Sequence, residues 1–194
     1  MAMSRVTKLY AVEDCKIFPL LSDPAGGTAM YGEGIDVPGI KEMEISGDVE
    51  VKELRGDNGL LDSDSAISNV TVSYPHAKLS LDVLKALIVS TVTDSGTTPA
   101  QKTKWSMKQG AKPLPYKIEG KTPTGGSDAI TGDVHFTLFK CVMSSFPGLG
   151  FAEEDYRTIE NEARAVPLAS TGEWVDVEIN ETATAIDTTA TPAP

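Results

Sequence analysis

Along residues 42–52 apolar and polar positions alternate without a break in parity. The odd positions read Met43, Ile45, Gly47, Val49 and Val51, and the even ones Glu42, Glu44, Ser46, Asp48, Glu50 and Lys52. Successive strand side chains point to opposite faces, so this run predicts a strand with one face on a core and the other polar. The polar face carries four carboxylates and one ammonium. Gly47 weakens the strand locally but leaves the parity intact. A second run over 66–74 sets Val70, Val72 and Tyr74 against Asn69, Thr71 and Ser73. Between the two lies ELRGDNGLLDSDS, a turn-rich connection around Asp57-Asn58-Gly59, so the pair predicts a long hairpin.

Elsewhere the pattern predicts a mainly β chain with one short helix. Val6, Tyr10 and Val12 alternate loosely and predict a strand over 6–12. Residues 19–38 are dense in Gly and Pro and read as a loop, of a length that in compact domains is functional or mobile. Ser80 is a good N-cap, Asp82 sits where the helix dipole favours an acid, and Leu81, Leu84, Leu87 and Ile88 share a face of a helix ending near Ser90. Such a helix is too short to stand alone and must pack on a sheet. Thr103, Trp105 and Met107 alternate with Lys102, Lys104, Ser106 and Lys108, and Tyr116 and Ile118 with Lys117, Glu119 and Lys121. Both read as strands, and together they predict a basic surface. Over 133–144, Val134, Phe136, Leu138 and Val142 share one face while Phe139, Cys141 and Met143 occupy the other, so this strand is covered on both faces. Local spacing of Tyr156, Ile159 and Ala163 favours a helix within 151–166, and 174–179 predicts a last strand. The first 180 residues read as one domain. The rest, 181–194, is a low-complexity tail expected to be poorly ordered.

Charge sharpens the picture. The chain of 194 residues has a net charge of -11. Residues 42–64 alone hold eight acids and two bases, a net of -6, so the hairpin carries more than half of the imbalance. An acidic chain is not one that grips nucleic acid by its phosphates, which takes clustered Lys and Arg, and a membrane-surface role is disfavoured likewise. Lys85 interrupts the best apolar run (81–89), and no segment reaches the roughly 20 residues that span a bilayer. The start, MAMSRVTKLY, has no apolar signal core, so no secretion signal is expected.

Candidate chemistry is sparse. His76 and His135 stand without H-x-x-x-H, H-E-x-x-H or Cys-x-x-Cys spacing, and structural roles are expected for both. Cys141 lies on an apolar strand and reads as a small hydrophobe, while Cys15 lies nearer a loop. A bond between them is compatible with the count, though nothing points to an oxidising compartment. There is no G-x-S-x-G and no phosphate-cradling Gly loop. The carboxylates recur at i and i+2 on one strand, whereas glycosidase pairs face each other across a substrate. Arg55-Gly56-Asp57 opens a turn, and turn chemistry explains it better than the integrin-ligand tripeptide it spells. Asn69-Val70-Thr71 matches a glycosylation acceptor, which means little without secretion. No catalytic residue, metal site or cofactor is expected; the chain does not read as an enzyme.

Three stretches carry a resemblance: YGEGIDVPGIKEMEIS (31–46), ELRGDNGLLDSDSAIS (53–68) and HAKLSLDVLKAL (76–87). In that order they resemble the major tail tube proteins of long, flexible-tailed (siphovirus) bacteriophages, and a weaker likeness continues through GDVHFTLFKCVMSS and GLGFAEEDYRTIENEARAVP. The resemblance implies a β-sandwich with one flanking helix, hexameric rings stacked into a hollow tube, and long hairpins joined into a shared inner β-barrel. It implies strand rather than helix over most of 151–166. By parity, the bore would be lined by Glu42, Glu44, Ser46, Asp48, Glu50 and Lys52, with Asn69, Thr71 and Ser73 beside them. Loops 19–38 and 55–65, with Tyr31, Asp36, Arg55, Asp57, Asp62 and Asp64, would join subunits or rings. The implied partners are further copies of the chain, tail-tip and tail-terminator proteins at the tube ends, and the tape-measure protein and genomic DNA passing through without tight binding. The implied location is the virion tail, assembled in the bacterial host cytoplasm. An acidic wall suits such a conduit, because it repels phosphates over a screening length of about 8 Å where a basic one would hold them. The basic strands would then meet acidic patches on neighbours or form a solvated outer face. The alternative from a different class is a monomeric β-sandwich binding module, a virion decoration or tail-end protein recognising carbohydrate or protein.

Overall fold

Most of the alternating runs become strands of one large antiparallel sheet. The computed structural model describes residues 6–9, 11–124, 132–150, 153 and 156–190. In chain order the elements are β1 (Asp14–Ser22), β2 (Met30–Tyr31), β3 (Ile35–Asp36), β4 (Glu44–Gly56), β5 (Gly59–Ser73), α1 (Leu81–Leu87), β6 (Thr91–Ser95), β7 (Lys102–Ser106), β8 (Tyr116–Pro123), β9 (Asp133–Met143), β10 (Glu162–Ala165) and β11 (Val175–Asn180). The main sheet runs β2-β1-β8-β9-β10-β5-β4, with β3 paired to β1 and β11 to β9, and among the described residues its ends do not meet to close a barrel. The hairpin β6–β7 forms a separate two-stranded sheet. The chain is mainly β with one helix among the described residues.

The core explains the order. Ile17 of β1, Ile118 of β8, Leu138 and Cys141 of β9, and Val70, Val72 and Tyr74 at the end of β5 are buried together with Val83 and Leu87 of α1. A second cluster gathers Phe18, Ala29, Tyr31, Phe139 and Leu168. Neighbouring Leu138 and Phe139 thus serve different clusters, which is why β9 is apolar on both faces. Its own domain covers it. Helix α1 starts where expected: the Ser80 hydroxyl accepts from the Val83 amide, and Asp82 lies in the first turn. It stops at Leu87, short of Ser90, and its inner face is Val83, Leu84, Ala86 and Leu87 rather than Leu81.

Several expectations need correction. No strand occupies the described part of 6–12, where Leu9 makes only an isolated bridge to Thr124; the strand starts at Asp14 instead. Cys15 therefore lies within a strand, fully buried, and both cysteines are free. The Gly/Pro segment 19–38 begins as the end of β1 and contains β2 and β3. Among the described residues of 151–166 there is no helix, but strand takes only its end: Glu162–Ala165 form β10 and Ile159 makes an isolated bridge to His76, so the expectation of strand over most of the segment is not met. Phe151, Ala152, Glu154 and Asp155 lie outside the described residues. Part of the tail is tied to the body: Ile186 is buried in the second cluster, and the Thr188 carbonyl accepts from Gly34 N at 2.9 Å.

The basic surface also shrinks. Lys117 and Lys121 have side chains only 15% and 10% exposed. Lys117 pairs with Glu119 at 3.2 Å and lies 4.0 Å over the Phe18 ring, and Lys121 bridges Glu13 and Asp133. Buried charges must be paired, and these are. On β7 Trp105 turns inward, donating its indole N–H to the Ser90 hydroxyl at 2.8 Å, while Thr103, and Met107 just past the strand, are exposed.

Candidate functional site

The hairpin β4–β5 is the feature that the body of the chain does not use up. Its strands have 13 and 15 residues, against the 3–10 typical of globular proteins. The root is anchored. Val70 and Val72 enter the core, and β10 pairs with β5 from Val70 to Ser73. Beyond Asn69 nothing among the described residues pairs with the outer edge of β5, and β4 is the last strand of the sheet. From there the hairpin projects as a two-stranded arm.

The supposed connection 53–65 is strand rather than loop, paired through Arg55↔Leu60 to a two-residue turn. Asp57 (φ 43°) and Asn58 (φ 68°) both adopt the left-handed conformation, as a mirror-image hairpin turn demands, and Asp and Asn tolerate it. Arg55, Asp57, Asp62 and Asp64 therefore belong to the arm's outer half and tip. Arg55 bonds Glu53 on its own strand at 2.7 Å.

Cross-strand pairs define two faces. One holds Glu44↔Ser73, Ser46↔Thr71, Asp48↔Asn69, Glu50↔Ala66, Lys52↔Asp64 and Leu54↔Asp62. The other holds Ile45↔Val72, Gly47↔Val70, Val49↔Ile67, Val51↔Ser65, Glu53↔Ser63 and Arg55↔Leu60. Register slips at Ser68 and Leu61, the bulged residues of β5, keep this segregation going. The first slip places Asp62 and Asp64 on the face of Glu44, Asp48 and Glu50. That face thus collects five carboxylates against Lys52. Hydrogen bonds knit its inner part: Ser46 to Thr71 at 2.8 Å, and Asn69 Nδ2 to Asp48 Oδ2 at 3.2 Å. Lys52 reaches Glu50 only at 3.9 Å with both side chains in water, so little of the negative charge is tied down.

The opposite face departs from the sequence reading. Val49 is 61% exposed, Val51 55% and Ile67 61%, and Leu60 and Leu61 at the tip are as open. The parity was right, but the apolar side of the arm lies on no core of its own chain. Of the expected bore residues, Ser46, Asp48, Glu50, Lys52, Asn69, Thr71, Ser73 and Glu44 share this ribbon, whereas Glu42 precedes β4 and rims a groove at its base. Asp36, expected in a contact loop, is on β3 and pairs with Lys16 at 3.2 Å. Tyr31 is core: its ring is buried and its hydroxyl donates to the Phe139 carbonyl at 2.8 Å. It offers no contact surface.

The groove, of about 570 Å³, is lined by Leu9, Val12, Met43, Ile45 and Phe136 with Lys41 and Lys121 at its margin. Met43 packs so closely on Gly120 that a Cβ there would overlap its sulfur.

The two histidines and two cysteines are engaged within the body. His76 is buried, hydrogen-bonded to Asn161 Nδ2 at 3.1 Å, and burial lowers its pKa, so it is neutral. His135 sits between Glu119 at 3.2 Å and Asp133 at 3.3 Å. Burial pushes both cysteine thiols well above their ordinary range, away from the nucleophilic thiolate. Among the described residues no group of His, Cys, Asp and Glu is arranged to hold a metal ion, and no helix is long and apolar enough to cross a membrane. No family model and no curated protein matches the chain.

Proposed function

We propose that this chain is a structural virion protein, a tail tube subunit whose copies form hexameric rings stacked into a conduit for genome delivery. The observation that carries the reading is the arm: a long ribbon with Val49, Val51 and Ile67 bare on one face and five carboxylates on the other, with free edges and no covering element among the described residues. A two-stranded hairpin is marginal alone in water. Pairing its edges with the arms of neighbouring copies would satisfy the backbone groups, and burying Val49, Val51 and Ile67 would contribute roughly 1 kcal/mol or more each. The acidic face would then line the space enclosed. The ring number and the tape-measure, tail-tip and terminator partners rest on the sequence resemblance alone.

In that arrangement Glu44, Asp48, Glu50, Asp62 and Asp64 recur around the bore and present like charge to DNA phosphates. The duplex is kept from the wall instead of being gripped by it. Reversal of Glu44, Asp48 and Glu50 to Lys is expected to permit tube assembly and to slow DNA release from reconstituted particles. Unchanged release would count against the conduit.

The groove beside Met43 and Phe136 favours a second reading, a monomeric module binding protein or carbohydrate there. That reading leaves the arm's bare apolar face unexplained. Electron microscopy of the concentrated protein separates the two: rings or tubes for the conduit, dispersed monomers for the module.

A further inference from the structure

The charge of the chain is segregated beyond the arm. Residues 78–112, which span α1 and the β6–β7 hairpin, contain six lysines and two aspartates, a net of +4 in a chain of -11. All six (Lys78, Lys85, Lys102, Lys104, Lys108 and Lys112) are exposed, and none takes part in the ion pairs of the described residues. On the hairpin Trp105 faces the body, while Lys102 and Lys104, paired with Ser95 and Thr93, form the outer face.

The matching surface lies on β11. This strand pairs only with β9, and its other edge is free among the described residues. Asp176 and Glu178 are exposed on it, with Val177 between them 57% exposed. In each strand the two charges are two residues apart, about 7 Å on one face, so the pairs are in step. Helix α1, which leads into the hairpin, contacts β1 and β3, and β11 lies beyond β8 and β9 from them. The basic and acidic surfaces are therefore different parts of the subunit, one on the β6–β7 sheet and the other on β11 of the main sheet.

We propose that the lysine face of β6–β7 docks on the free edge of β11 of a second copy. The contact joins two different surfaces and is therefore head-to-tail, the kind that builds rings or filaments. A nucleic acid fits the lysines less well, because the body is acidic and the segment contains no arginine to fork onto phosphate. The inference deepens the assembly reading and rests on it, but it can fail separately.

The test uses two full-length variants, Lys102→Glu/Lys104→Glu and Asp176→Lys/Glu178→Lys, followed by sedimentation and electron microscopy. Each alone should associate at least tenfold more weakly than the parent chain, since like charges then meet. An equimolar mixture should recover assembly, because each variant supplies the surface that the other lacks. The parent association should weaken with added salt. If either variant assembles by itself as the parent does, the docking is wrong while the conduit reading stands. Mutual rescue in particles without a bore supports the docking and removes the conduit. If the parent chain retards duplex DNA and the lysine variant loses only that, the surface serves nucleic acid and the proposal is overturned.

Discussion

The hydroxyls of Tyr74 and Tyr116 meet at 2.6 Å in the centre of the core, with the rings edge to face at 6.5 Å. Tyr74 follows the last residue of β5 and Tyr116 opens β8, so the contact ties the root of the arm to the middle of the sheet. Burial raises both phenol pKa values, and the bond is one between neutral hydroxyls. Tyr74→Phe strands the Tyr116 hydroxyl in the core and is expected to cost about 1–3 kcal/mol in urea unfolding. Removing both hydroxyls should cost less than the two single changes added together.

Acid should destabilise the fold in two windows. Burial lowers the His76 pKa, so the unfolded chain takes the proton more readily, and stability falls as the pH drops below about 6.5. Asp23 acts lower. Burial pushes its carboxyl up, but Lys140 at 2.7 Å and the amides of Ala169 and Ser170 outweigh this and hold it at about 2. Its contribution is present above the ordinary carboxylate pKa and is lost as the pH falls through about 2. Thermal melts from pH 8 to 2 should show both falls; His76→Gln should remove the upper one and Asp23→Asn the lower.

The carboxy-terminal segment should come away on loss of one side chain. Among its described residues Ile186 is the only buried one, and polar contacts from Thr184 to Asp133 and Lys121 hold the part before it. Ile186→Ser should leave the sheet folded while the Gly34 amide, which bonds Thr188, loses most of its protection in hydrogen exchange. Unchanged protection would show that the polar contacts suffice.

Replacing Val49, Val51 and Ile67 by Ser should leave monomer stability within about 0.5 kcal/mol, because these side chains are already exposed. Self-association should fall by an order of magnitude or more. A large loss of monomer stability would mean that the face packs within its own chain.

Much of this was legible in the sequence, and the failures have physical causes. Capping and spacing located α1, and parity located β4 and the end of β5. The arm's outer half was hidden because bulges at Ser68 and Leu61 break the alternation, while Gly56, Asp57, Asn58 and Gly59 read as loop even though they close a tight hairpin. Parity also cannot say whether an apolar face meets its own core, and so the exposure of Val49 and Val51 was missed. Lys121 read as surface because its partners Glu13 and Asp133 lie outside its own strand, and Lys117 because the Phe18 ring it covers is on β1. The tail misled because a lone Ile186 among Ala and Thr gives no pattern.

The one-sided ribbon sets the terms on which this protein can be handled. Apolar flank and open edges together make a template for disordered clumping, and the carboxylates are what keeps stray ribbons apart. Strongly saline buffers take that brake away, so storage at low ionic strength is what the chain's own chemistry asks for.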